Sequence, residues 1–210
     1  IWQGAMEDDR FNRLVLLARL EWREIVVLRA ICKYLRQAGI AFSQAYMEEA
    51  LCNNPGLARM MVGLFHQRFE PKFERERDAC AAEIEAAIAL ALDQVASLDE
   101  DRILRRFLNV IGAMRRTNFY RQDAAGAPKP YLSFKLESAA VDELPLPRPF
   151  MEIFVYSPEV EGVHLRGGRV ARGGIRWSDR REDFRTEILG LMKAQPVTNA
   201  AIVPAGAKGG

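Results

Sequence analysis

The chain has 210 residues, 49% of them hydrophobic, with 30 basic against 28 acidic side chains and a formal charge of +2. That much apolar material supports a sizeable core and excludes a disordered tail, while the near-balanced charge gives no global field to draw the molecule onto a polyanion or a membrane. Any electrostatic function is therefore local.

From Asp8 to about Thr117 the apolar residues recur at helical spacing. Phe11, Leu14, Val15 and Ala18 share one predicted face, and Ile25, Leu28, Cys32 and Leu35 a second, in a helix expected to end near Gly39. Ser43 is placed to cap the next helix, through Tyr46, Met47 and Leu51, and Asn54-Pro55 supplies a cap and a first-turn proline for one through Leu57, Met61, Leu64 and Phe65. After Pro71 the run CAAEIEAAIALALDQVA has high helix propensity. Ser97-Leu98-Asp99-Glu100 reads as a capping box for a helix with Ile103, Leu104, Phe107 and Leu108. This part carries architecture and little chemistry.

Beyond Tyr120 the pattern changes. RQDAAGAPKP leads into a strand-like alternation over Tyr131 to Leu136, and ELPLPRPF precedes a second strand over Met151 to Tyr156. Val163-His164-Leu165 reads as a third strand, with Gly167-Gly168 a turn or bulge, and Asp183 to Lys193 as a helix that buries Phe184, Ile188, Leu191 and Met192. Ala200 to Val203 reads as a short buried strand. The expected fold is α+β or α/β, an N-terminal helical bundle followed by a truncated α/β layer. A first residue that is not Met and an end at Lys208-Gly209-Gly210 suggest a piece of a longer chain.

Cys32, Cys52 and Cys80 lie far apart without a CxxC pair, and His66 and His164 are distant from them and from each other, so no metal site and no disulfide are expected. The longest apolar runs fall well short of the ~20 residues a bilayer needs and no signal peptide precedes them, which points to a cytoplasmic protein without membrane contact.

Two stretches carry candidate chemistry. RGGRVARGGIR at 166–176 holds Arg166, Arg169, Arg172 and Arg176 with no intervening acid. One reading is an arginine-glycine element that binds RNA or an acidic partner, with Trp177 stacking on a base, in a non-catalytic interaction module. Another is a wall for a carboxylate or phosphate, its glycines allowing close backbone approach. A third is ion pairing of these arginines with Asp179, Glu182, Asp183 and Glu187 downstream. The second stretch, Val203 to Gly210, sets Lys208 in a glycine turn after a predicted buried strand. A lysine enclosed among cations loses proton affinity and could serve as a base.

GGIR at 173–176, a helix ending in LGLMKAQ, and IVPAGAKGG at 202–210 resemble the substrate domain of glutamate dehydrogenases, where GGxR is followed by a helix and then a P-x-G-x-KGG lysine loop. DEDRILRRFLN, PKPYLSFKL, PRPFMEIFVYSPEVEGVHLRGG and GGIRWSDRREDFRTEILGLMKAQ look like the very large bacterial NAD-dependent class, whose catalytic region lies between long extra segments. The resemblance covers most of the chain.

It implies oxidative deamination of L-glutamate to 2-oxoglutarate and ammonia, with residues 1–118 a helical region and 119–210 the start of the catalytic α/β substrate-binding domain. It gives Lys208 the role of helping water attack the iminium, and lets Gly173 and Gly174 admit the amino acid. Arg172 stands where the smaller enzymes carry a lysine that grips the distal carboxylate. The family lysine for the α-carboxylate is expected just before an asparagine, yet Thr198-Asn199 stands there, which leaves Lys193 as the nearby candidate. The catalytic aspartate and the NAD-binding domain of that family lie downstream of the lysine loop. No GxGxxG occurs here, so NAD contacts fall mainly outside this chain, and the fragment alone is expected to be inactive. Glutamate or 2-oxoglutarate as ligand, no nucleic acid, and a homo-oligomeric parent complete what the resemblance implies.

Overall fold

The computed structural model describes residues 4, 6–73, 77–169, 172–198 and 206–210, with the side chains of residues 172, 195–198 and 206–207 left aside. The chain divides into two compact units, residues 1–32 with 42–112, and residues 33–41 with 113–210.

The first unit is helical. A 3-10 turn over Arg10–Arg13 runs into α1 (Leu14–Leu17), followed by α2 (Trp22–Gln37), whose last residues count with the second unit. Then come α3 (Gln44–Asn53), α4 (Pro55–Phe69), α5 (Arg77–Leu92) and α6 (Leu98–Ala113). The apolar faces predicted for α2 and α4 are buried, Ile25, Leu28 and Cys32 on the first and Leu57, Met61, Leu64 and Phe65 on the second. Phe11, Leu14 and Ala18 are buried too, but Val15 is 41% exposed, because the 3-10 turn shifts the periodicity on which its placement rested.

The caps behave as side-chain chemistry requires. Ser43 accepts a hydrogen bond from the Tyr46 amide, and Gly39, at φ +86°, ends α2 in the left-handed conformation that glycine adopts without penalty. At Ser97 only half of the capping box forms: its Oγ accepts from the Glu100 amide, while the Glu100 carboxylate instead accepts from Asn53 and Asn54. Arg29, fully buried on α2, is held by both oxygens of Asp9 at 2.5 and 2.8 Å and by Asn12 Oδ1 at 2.9 Å. The three cysteines are free, and burial pushes the Cys52 thiol pKa up.

In the second unit six described strands form one mixed sheet, in the order β1-β2-β3-β4-β6-β5. They are β1 (Met114–Thr117), β2 (Leu132–Leu136), β3 (Met151–Tyr156), β4 (Glu161–Arg166), β5 (Arg172–Ile175) and β6 (Gly206–Gly209), with α7 (Phe184–Thr198) between the last two. The fold class is α+β. Four neighbouring pairs are antiparallel and only β5 and β6 are parallel, joined through α7 as a crossover connection requires.

β2 and β3 follow the alternation read from the sequence, burying Leu132, Phe134 and Leu136 on one strand and Phe154 and Tyr156 on the other. Tyr34, on the last turns of α2, covers them with edge contacts to Phe134 and Phe154 at ring separations of 6.1 and 5.7 Å. Met114–Thr117, read as the end of the helical stretch, is a strand, and α7 continues through Pro196 to Thr198 instead of stopping at Lys193. A proline deletes one hydrogen bond of a helix and need not terminate it. The strand expected over Ala200–Val203 lies outside the described residues.

Candidate functional site

The two glycine stretches singled out in the sequence are adjacent strands. β6 pairs with β4 on one side, setting Lys208 opposite Leu165, and with β5 on the other, setting Lys208 opposite Gly174, Ala207 opposite Gly173 and Gly206 opposite Arg172. Glycines show no side-chain alternation, so nothing in their spacing marks them as strands; the pairing of β6 with β4, and of β5 with β6, makes them so.

Directly opposed residues share a face of a sheet. One row therefore crosses it from Leu136 through Glu152, Leu165 and Lys208 to Gly174. This is the inner face: Leu165 is fully buried, Lys208 is half-buried, and Ile188 of α7 lies against Gly210, where an added Cβ would come within 2.7 Å of Ile188 Cγ1. At Gly174, by contrast, an added Cβ would meet nothing within 4 Å. Among the described residues, open space thus lies beside Lys208 on the side of β5. Arg172 occupies the same pleat parity as Gly174, two residues earlier on β5.

His164 belongs to the other face, opposite Gly209 and Ile153. Burial first, and then the charge of Arg166, lower its pKa, and its buried Nδ1 has no hydrogen-bond partner among the described residues. Lys193 is exposed on α7, where Nζ donates to the Leu146 carbonyl at 3.3 Å, and it is not among the residues brought together by the strand pairing.

The arginine run is divided among several partners. Arg176 pairs with Glu187 at 2.9 Å, as the ion-pair reading expects, and Ser178 also donates to Glu187. Arg180 pairs with Asp183, raising the pKa of the first through that hydrogen bond and lowering that of the second. Arg166 donates to the Arg169 carbonyl, and Trp177, 76% exposed, donates its indole N–H to Asp179. The uninterrupted cationic wall expected from the sequence is therefore partly neutralised, at Arg176 by Glu187.

Sequence reasoning missed a buried polar centre in the same cross-sheet row. Arg185 and Glu152 are each 1% exposed and paired bidentately at 2.9 and 2.5 Å, with Tyr34 Oη donating to Glu152 at 3.3 Å. Burial opposes the charge on Arg185, but the hydrogen bonds and charge of Glu152 outweigh it and its pKa is raised. Burial, and then the charge of Glu152, raise that of Tyr34. The signal was present: Glu152 occupies an inward position of MEIFVY, where an apolar residue is the norm.

A separate cleft of about 170 Å³ is lined by Lys33, Arg36, Gln37, Glu161, Arg181 and Glu182. There Arg36 pairs with Glu182, and Lys33 with Glu161 at 3.8 Å. Among the described residues no cluster of three His, Cys, Asp or Glu could hold a metal ion, and no helix is long and apolar enough to cross a membrane.

A half-buried lysine on a glycine-lined strand, beside open space in a mixed sheet, defines an α+β domain with a candidate small-ligand site on its inner face. Its family follows from similarity. Residues 87–210 match the model described as the bacterial NAD-glutamate dehydrogenase catalytic domain, residues 6–71 match glutamate dehydrogenase helical motif 3, and the chain belongs to that bacterial NAD-glutamate dehydrogenase family. Over its whole length it is 56%, 54% and 52% identical to proteins named NAD-specific glutamate dehydrogenase from Mycobacterium tuberculosis, Pseudomonas aeruginosa and Halomonas elongata. It spans 13% of the length of each.

Proposed function

We propose that this chain is the part of a NAD-dependent glutamate dehydrogenase that begins its substrate-binding domain, and that the whole protein converts L-glutamate to 2-oxoglutarate and ammonia. The observation that carries this is the pairing of β5 with β6, which sets Lys208 opposite Gly174 beside open space on one face. Similarity over the whole chain to NAD-specific glutamate dehydrogenases supports the reaction class. The helices before β1 serve as a helical bundle outside the chemistry, and the boundary lies near residue 118.

Lys208 is the catalytic residue. When the oxidised substrate carries an iminium at its α-carbon, the lysine amine takes a proton from a water as that water's oxygen bonds to the carbon, passes that proton to the amino nitrogen, and takes the hydroxyl proton as the C–N bond breaks, so that the carbonyl forms and ammonia leaves. Gly173 and Gly174 admit the substrate, Arg172 grips its distal carboxylate through two parallel hydrogen bonds, and Lys193 is the nearest candidate for the α-carboxylate. The start of α7, where a crossover unit would hold a dinucleotide pyrophosphate, carries Glu182, Asp183 and Glu187. Each is already paired with an arginine (Arg36, Arg180 and Arg176), and no GxGxxG turn precedes the helix, so NAD binding is assigned to residues outside this chain. A cytoplasmic homo-oligomer is the proposed state of the whole protein.

The test is glutamate-dependent NADH formation. The full-length protein is expected to form NADH with glutamate, and the isolated 210-residue chain is expected to form none. A full-length protein that is silent with glutamate, yet shifts RNA with a steep salt dependence, would instead favour an arginine-glycine binding module.

A further inference from the structure

The first turn of α7 touches three strands at once. Arg185 reaches Glu152 on β3 through the buried bidentate pair, and its amide donates to Gln37 Oε1 at 3.1 Å. Two residues on, Glu187 holds Arg176, the residue that follows β5. At the next position Ile188 packs on Gly210, the residue that follows β6, closely enough that a Cβ there would force the Ile188 side chain to shift. The two strand ends are also tied to each other, since the Arg176 amide donates to the Gly209 carbonyl at 2.9 Å.

β5 and β6 are four residues each and rich in glycine, and β5 is the last strand of the sheet among the described residues. Such strands lack the cross-strand side-chain pairs that fix register in β2 and β3. Their alignment therefore needs an outside reference, and Arg185 supplies one, anchored two strands from Lys208 in the same row, about 10 Å away at the usual strand spacing.

We propose that the first turn of α7 is a clamp that sets the register of the two glycine strands, with Arg185 and Glu187 as positioning residues for Lys208. The inference rests on the glutamate dehydrogenase reading for its catalytic consequence, but not for the clamp itself. Glu187 acts on β5 through Arg176, Ile188 acts on β6 through Gly210, and Arg185 holds both to the sheet interior.

Two variants of the full-length enzyme test it. Glu187→Gln keeps the side chain's shape and removes the charge that holds Arg176. It should lower kcat about tenfold or more, since small misplacements are costly, while leaving the KM for NAD and the melting temperature unchanged. The amides of Arg176 and Gly210 should then exchange hydrogen faster. The second variant, Arg185→Met with Glu152→Leu, replaces the buried pair by apolar side chains of similar size, an exchange that often keeps or raises stability. A merely structural pair predicts recovery of both stability and kcat, whereas the clamp predicts a stable enzyme whose kcat remains depressed. Wild-type kcat in either variant, or unchanged exchange at Arg176 and Gly210 in the first, would overturn the proposal. Absence of glutamate turnover in the wild type would count against the glutamate reading instead, and the exchange measurement would still decide the clamp.

Discussion

Gly174 offers the sharpest residue-scale test, because structure and function place opposite demands on it. An added Cβ there meets no described atom within 4 Å and the backbone is not left-handed, so the fold tolerates a side chain at this exposed position. If the space beside Lys208 is where glutamate lies, the same side chain blocks it. Gly174→Leu in the full-length enzyme is expected to leave the melting temperature unchanged and to reduce kcat/KM for glutamate by roughly a hundredfold. Wild-type kcat/KM in that variant would place the substrate elsewhere. At Arg172 and Lys208 the motif spacing was legible in the sequence, but their juxtaposition was not. The thirty-five residues between them give no hint that Gly206 falls opposite Arg172.

At the scale of elements, legibility followed side-chain periodicity. β2 and β3 could be read because Leu132, Phe134 and Leu136, and likewise Phe154 and Tyr156, mark every second position. β5 and β6 could not, because their order comes from long-range pairing and not from local propensity. β1 was hidden for a related reason: Met114-Arg115-Arg116-Thr117 continues the composition of α6 and becomes a strand by pairing with β2. The helices α2, α3 and α4 were read from their caps and apolar faces, yet α2 also carries a charge that no face pattern explains. Arg29 is buried against Asp9, which is itself only 8% exposed. Arg29→Ala strands that carboxylate, and breaking a buried pair from one side costs about 3–5 kcal/mol. The expected readout is faster hydrogen exchange of the amides of residues 22–32 in the full-length protein. Unchanged exchange there would show that the pair does not anchor the helix.

At the scale of the whole molecule, the chain holds a helical unit and a sheet unit, and spans 13% of the length of the relatives it matches. The sheet unit carries the candidate lysine, and no GxGxxG turn precedes its α7. Under the proposed function, substrate chemistry and cofactor binding are divided along the full-length protein, and composition alone could not reveal that division. Only the motif resemblance, now joined by family similarity, identified the family and led to the proposed reaction; charge balance and hydropathy bounded the class and went no further.

The central claim is that Lys208, presented by β6 opposite Gly174, carries the proton-transfer step of glutamate deamination. It is tested most directly by comparing full-length wild type with Lys208→Ala in steady-state NADH formation and in NAD binding. The account predicts a fall in kcat of about a hundredfold or more with NAD affinity nearly unchanged. Wild-type turnover in the Lys208→Ala enzyme would contradict it.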